Sequence, residues 1–188
     1  HVRVFLDRHG SLYRKPLLKN RNCTTKSRKS LRSSAAKSTD SRGKPYSLPA
    51  GLDFSAGRRL RVGLVSADFR QHPVGGFAEI LFRHLPPDHF TLHAYDNGTR
   101  ADSTTERLQS MVPTWRKIGQ LRDDDAVRLI QEDGIDVLLD LSGHTSGGRL
   151  LLFARHPAML QVALFAYPNT TGLEAMDYRI TDSFADPP

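Results

Sequence analysis

From Leu60 onward the chain alternates apolar runs of strand length with segments of helix length, and this alternation narrows the folds open to it. LRVGLVS (60–66), FTLHAYD (90–96), IDVLLDLS (135–142) and LQVALFAY (160–167) are each long enough for one strand. TWRKI (114–118) and YRITD (178–182) are shorter candidates. Between these runs lie helix patterns. In 76–85, Phe77, Ile80, Leu81 and His84 or Leu85 share one helical face, and Pro86-Pro87 stops the helix. In 103–112, Ser103 is the expected N-cap, with Glu106 at the capping-box position. Asp123–Glu132 opens on three acids that suit a helix N-terminus, has Ala126, Leu129 and Ile130 as its apolar face, and is followed by Gly134. A short helix is expected over 149–154.

Strands alternating with helices predict an α/β fold with a Rossmann-like parallel sheet and right-handed crossovers. The roughly 130 residues involved can bury one core, but a TIM barrel needs about 250. Ligands bind at the C-terminal ends of such strands, which singles out the loops 67–76, 142–149 and 167–173. No apolar stretch reaches the roughly 18 residues of a membrane span.

Charge divides the chain. Of its 27 Lys and Arg, 16 fall in residues 1–61 with three of the 20 acids, a net +13 that leaves −6 for the rest of a chain carrying +7. Residues 1–56 read as a basic, Ser/Lys/Arg-rich tail, mostly disordered, with short structure around Val2–Leu6. The leading interpretation is a solvated tail or linker. Contact with nucleic acid or an acidic surface, an organelle transit segment and a fragment junction are alternatives. No aromatic residues are interleaved with the basic run 19–44 for base stacking, so nucleic-acid binding is not expected. The single cysteine, Cys23, excludes an internal disulfide and a multi-cysteine metal cluster, and fits a reducing, cytoplasmic compartment.

The motif inventory is mostly negative. No G-x-G-x-x-G follows the first strand, and no P-loop, H-E-x-x-H or G-x-S-x-G is present. The Asp-x-Asp within 123–125 reads as helix capping before metal binding. His72 lies in the loop after the first strand, with Pro73 restricting its backbone. An imidazole there can bind a sugar hydroxyl or phosphate, or move a proton near neutral pH. His144 sits among Gly143, Gly147 and Gly148, where backbone amides can approach a ligand. A surface histidine and a tight strand-to-helix connection are the plain alternatives. His84, His89, His93 and His156 are assigned structural places.

LRVGLVSADFRQHPVGGF (60–77) resembles the opening of the catalytic region of the O-GlcNAc transferase family, the SPINDLY-like proteins with tetratricopeptide repeats. IQEDGIDVLLDLSGHTSGGRLLLFARHPAMLQVALFAYPNTTGLEAMDYRITDSFADPP (130–188) resembles its continuation. The likeness runs in order from 57 to 188 and omits 1–56. It implies the N-terminal lobe of a two-lobed GT-B glycosyltransferase. The family moves N-acetylglucosamine from UDP-GlcNAc to protein Ser or Thr hydroxyls, with inversion and without a metal ion or cofactor; some members transfer fucose.

By the same resemblance His72 matches the H-P histidine of the cleft, proposed in the family as the base, with Pro73 beside it. His144, Thr145 and Gly147, with Tyr167, Pro168, Thr170, Thr171 and Gly172, match segments lining that cleft and are expected to bind substrate. A C-terminal lobe supplying most UDP contacts and the upstream tetratricopeptide repeats are the missing partners it implies. The family's R-P-A-P and W-L-G-Y-P-G-T patterns are altered here, at 155–159 and 164–170. The isolated chain is therefore expected not to turn over. The alternative is a non-enzymatic remnant or a protein-interaction module with a basic tail.

Overall fold

The computed structural model describes residues 2–6, 12–16, 57–164 and 167–181. The chain runs β1 (Val2–Leu6), β2 (Leu12–Pro16), β3 (Leu60–Ser66), α1 (Pro73–His84), β4 (Phe90–Asp96), α2 (Ser103–Gln109), β5 (Thr114–Lys117), α3 (Asp123–Glu132), β6 (Val137–Asp140), α4 (Leu150–Phe153), β7 (Leu160–Ala163) and β8 (Tyr178–Ile180). They form one sheet in the order β2-β1-β8-β7-β6-β3-β4-β5. Every pairing is parallel except β1 with β2.

The expected α/β sheet is present, and β3, β4 and α3 have the expected bounds. Other ends are shorter than the apolar runs that announced them: β6 covers four residues of 135–142 and β7 four of 160–167. At the N-terminus, β1 lies where short structure was expected. β2 is an element the sequence reading does not contain: Leu12–Pro16 pairs antiparallel with β1 at the sheet edge. The remainder of the expected tail lies outside the described residues.

The parallel part of the sheet carries helices on both faces, as parallel strands joined by helical crossovers require. Val62, Leu64, Leu92 and Ala94 pack with Val74, Ala78 and Phe82 of α1 and Leu108 of α2. Val65, Tyr95 and Leu138 pack on the other face with Ala126, Val127 and Ile130 of α3 and Leu152 and Phe153 of α4. The inward face of α1 is not the expected one. Phe77 and Ile80 are 37% and 56% exposed, whereas Val74, Gly75, Ala78 and Phe82 are buried. The helix starts three residues earlier than read, at Pro73, and its i, i+4, i+8 row of Val74, Ala78 and Phe82 faces the sheet.

The cap of α2 also differs by one residue. Asp102, not Ser103, is the N-cap; its carboxylate accepts from Thr105 N–H at 3.0 Å, and Thr105 Oγ1 accepts from Asp102 N–H at 3.1 Å. The carboxylate also accepts from Gln71 N–H at 2.8 Å. This bond and that from Thr105 hold the Asp102 carboxyl below its ordinary range. The cap thus ties α2 to the loop after β3, a contact invisible to local sequence rules.

A polar cluster joins α3 to β4 and β5. The Asp133 carboxylate accepts from Tyr95 Oη at 2.9 Å and from Arg116 at 2.9 and 3.3 Å, with His93 Nδ1 at 4.0 Å. Burial pushes the His93 pKa down against the pull of Asp133, and Arg61 and Arg116 push the same way as burial. Burial works to raise Asp133, but bonds from Arg116 and Tyr95 overcome it and hold the carboxyl low. A group with a depressed folded pKa binds more protons when unfolded. Acidification therefore costs stability through His93 from about pH 6.5 downward, and through Asp133 from about pH 4 downward. Burial raises Asp96 and Asp140, so ionising these two opposes folding and acidification favours it through them. The urea midpoint is expected to fall between pH 7.5 and 5.5, and His93→Gln to flatten that step. An unchanged step in the variant assigns it to other histidines.

Candidate functional site

From β3 the chain moves to β4 and β5 on one side, then returns to β6, β7 and β8 on the other. The C-terminal ends of β3 and β6 therefore flank a topological switch point, where ligand sites of open α/β sheets form. An open groove of about 480 Å³ lies there, lined by Ala67, Asp68, Arg70, His72 and Val74, by 97–100 after β4, and by 145–147 after β6. A second depression of about 310 Å³ adjoins it, with Gly143, His144 and Thr145 on its wall.

The loop that carries His72 is pinned at both ends. Asp68 N–H donates to Ser66 Oγ at 3.0 Å. Phe69 is 1% exposed and its ring sits 5.2 Å from Trp115 and 6.2 Å from Phe82. His72 is extended, at φ −156° and ψ 153°, and is the N-cap of α1, with Pro73 as the first helical residue. Its Nδ1 accepts from Val74 N–H at 3.2 Å. A neutral ring in that role carries its proton on Nε2. Asp68 Oδ2 lies 3.9 Å from the same Nδ1, while Asp68 Oδ1 accepts from Arg70 at 2.8 Å. Nδ1 thus has two possible neighbours, a donor in the helix and an acceptor in the loop.

Gly75 makes this corner possible. A Cβ on it would lie 2.1 Å from the Arg70 carbonyl oxygen, so helix and loop touch backbone to backbone. On the β6 side, buried Asp140 accepts from Ser142 N–H at 2.9 Å and Gly143 N–H at 3.1 Å. Gly143 adopts φ 54°, and a Cβ there would strike the Tyr167 ring at 2.6 Å.

His72, Thr145 and Gly147 come together on the groove; Pro73, the first residue of α1, lines neither depression. Thr145 Oγ1 donates to Ser142 O at 2.7 Å and holds the loop's turn. His144 lines the adjoining depression; its Nε2 lies 2.9 Å from Thr171 O and its ring centroid 5.3 Å from that of Tyr167. Through these contacts His144 links the loop after β6 to the loop after β7. Pro168, Thr170 and Gly172 lie on that second loop and line neither depression. Pro168 O accepts from Arg179 at 2.8 Å, and Thr170 Oγ1 accepts from Gly172 N–H at 3.2 Å.

Sequence reasoning missed Asp68, Arg70, Asn97, Thr99, Arg100 and Arg149. Asn97-Gly98 reads locally as a turn; only the adjacency of β3 and β4 brings it to the groove. The 123–125 acids occupy the first turn of α3 but do not cap it, since Arg122 is the N-cap and no side chain accepts a capping bond; instead Asp123 accepts from Arg149, Asp124 from Arg155, and Asp125 from Arg128. Among the described residues no group of three or more His, Cys, Asp or Glu is placed to hold a metal ion, and no helix is long and apolar enough to cross a membrane.

A groove edged by His72 at the switch point marks the chain as a Rossmann-like lobe, in the position where open α/β sheets bind their ligands. The chain belongs to glycosyl transferase family 41, whose family model matches residues 11–188. That match begins well before residue 57 and takes in much of the basic segment. The chain is similar to a probable UDP-N-acetylglucosamine–peptide N-acetylglucosaminyltransferase SPINDLY of Oryza sativa subsp. japonica, 39% identical over 137 residues, which are 71% of this chain and 15% of the relative. The corresponding SEC protein of Arabidopsis thaliana is 34% identical over 155 residues, 76% of this chain and 15% of the relative. Among solved structures, an O-GlcNAc transferase mutant of Thermobaculum terrenum superposes with a TM-score of 0.69 at 42% identity, covering 73% of this chain and 26% of that one. The chain spans about a seventh of the length of the curated relatives.

Proposed function

We propose that this chain is the N-terminal catalytic lobe of an enzyme that moves N-acetylglucosamine from UDP-GlcNAc to Ser or Thr hydroxyls of proteins, with inversion and without a metal ion. The observation that carries the reading is His72, capped onto α1 at the edge of the switch-point groove. Family membership supplies the chemistry to look for, and the activity for which the relatives are named supplies the donor.

In the proposed reaction the acceptor oxygen attacks the anomeric carbon from the face opposite UDP. The bond from that carbon to the diphosphate oxygen breaks, UDP leaves with the electron pair, and the hydroxyl proton passes to a base. With Nδ1 accepting from Val74, His72 offers an Nε2–H that donates to a sugar, phosphate or acceptor oxygen. Acting as the base requires the other tautomer, in which Nδ1–H turns from Val74 toward Asp68 and frees the Nε2 lone pair. In this reading a second lobe supplies most of the donor contacts, and the 188-residue chain alone is expected not to turn over. A cytoplasmic location belongs to the same reading.

The test is transfer by the intact encoded protein, read as mass gain on a Ser/Thr peptide. UDP-GlcNAc and a nucleotide-activated fucose are offered in parallel. Gain of one N-acetylhexosamine, removed by β-elimination, is the expected result. Gain of fucose alone changes the donor and keeps the reaction class. No transfer with either donor from folded protein removes the enzymatic reading and favours an interaction module.

A further inference from the structure

Arg149 closes the glycine-containing loop after β6, and its side chain is only 10% exposed. Its guanidinium ties its own loop to two others, those after β4 and β5. Nε and Nη2 donate to Asp123 Oδ1 at 3.0 and 2.6 Å, and Nη2 donates to Leu121 O at 3.1 Å. Nη1 donates to Ile118 O at 2.9 Å and to Asn97 Oδ1 at 3.1 Å. The other end of the Asn97 amide continues the line, because Nδ2 donates to Gly147 O at 2.6 Å. Gly147 and Asn97 both line the groove that contains His72. A Cβ on Gly147 would lie 2.5 Å from Ala67 Cβ, so the rim it forms packs directly on the loop after β3.

We propose that Arg149 is a positioning residue for the transfer site: it orients the Asn97 amide, and through it fixes Gly147 and the glycine rim of the groove. The catalytic consequence rests on reading the groove as the transfer site; the positioning itself does not. Arginine suits the place because a planar fork can meet a carboxylate and several carbonyls at once, which a lysine ammonium cannot. Lysine keeps the charge facing Asp123, so Arg149→Lys separates the fork from the ion pair.

Two measurements test this. In the intact protein, kcat and KM are determined for Arg149→Lys, Asn97→Ala and the double variant, well below their melting temperatures. Each single change is expected to lower kcat/KM about tenfold, and the double to lose little more than either, since coupled residues are not additive. Losses that multiply in the double variant overturn the proposal, because Arg149 would then act independently of Asn97. In the 188-residue chain, amide hydrogen exchange is followed in Arg149→Lys. Faster exchange confined to 96–99 and 143–149, with β3 and β6 still protected, is expected. Unchanged exchange there, or faster exchange throughout the sheet, overturns it. If the wild-type protein transfers nothing, the proposed function falls, while the exchange result still decides whether Arg149 positions the rim.

Discussion

Replacing His72 by Ala is expected to lower kcat of the intact protein by about 10²–10⁴, the usual contribution of a positioned proton-transfer group. The protein is expected to stay folded, because losing an N-cap costs about 1 kcal/mol. His72→Asn separates the two duties. Asn is a strong N-cap, so its side-chain oxygen can replace Nδ1 in accepting from Val74 N–H. It has no counterpart of Nε2. His72→Asn should therefore match the wild type in melting temperature and His72→Ala in turnover. Near wild-type turnover in His72→Asn would reduce His72 to a helix cap.

The second large effect is at Gly75. Its missing Cβ would lie 2.1 Å from Arg70 O and 3.3 Å from Asp68 O, both backbone atoms. No rotamer relieves that contact; helix and loop must part. Gly75→Ala is expected to destabilise by about 3 kcal/mol, the upper end for overpacking, and to lower the melting temperature by roughly 10 °C. Turnover should fall too, since the carbonyls that must move belong to the segment leading into His72. Gly76→Ala is the control. Nothing lies within 4 Å of a Cβ there, and the position is in a helix. It should stabilise by about 0.5–1 kcal/mol. Similar melting temperatures for the two variants would contradict the close approach at Gly75.

What the sequence disclosed follows from the range of the forces involved. β3, β4 and α3 were legible because their limits are set within themselves: apolar runs bounded by polar residues, and an acidic first turn followed by Gly134. α2 was misread by one residue because Asp102 and Ser103 are both good caps, and the choice was made by Gln71, 31 residues away. The face of α1 was misread because two nearly equivalent apolar stripes exist. Val74 and Ala78 could be preferred over Phe77 and Ile80 only by knowing that the loop meets the helix at Gly75. β2 was missed because basic and polar composition dominated its neighbourhood.

The site divides in the same way. His72 was legible from its place after the first strand, and the loop 142–149 from its glycines. Asn97 and Arg149 were not, because each acts only once strand order has brought three loops together. Tyr167 and Thr171 are expected to bind substrate; the Tyr167 ring lies 5.3 Å from that of His144, Thr171 O lies 2.9 Å from His144 Nε2, and Thr171 Oγ1 accepts from Leu173 N–H at 3.4 Å.

In the proposed reaction this lobe meets substrate at the groove between the β3 and β6 loops. Hydrogen exchange of the intact protein with and without UDP-GlcNAc and a Ser/Thr peptide tests it most directly. Added protection is expected within this lobe at 67–76, 97–100 and 143–149, weakened in Arg149→Lys. Substrate-dependent protection that leaves all three segments unchanged would contradict it.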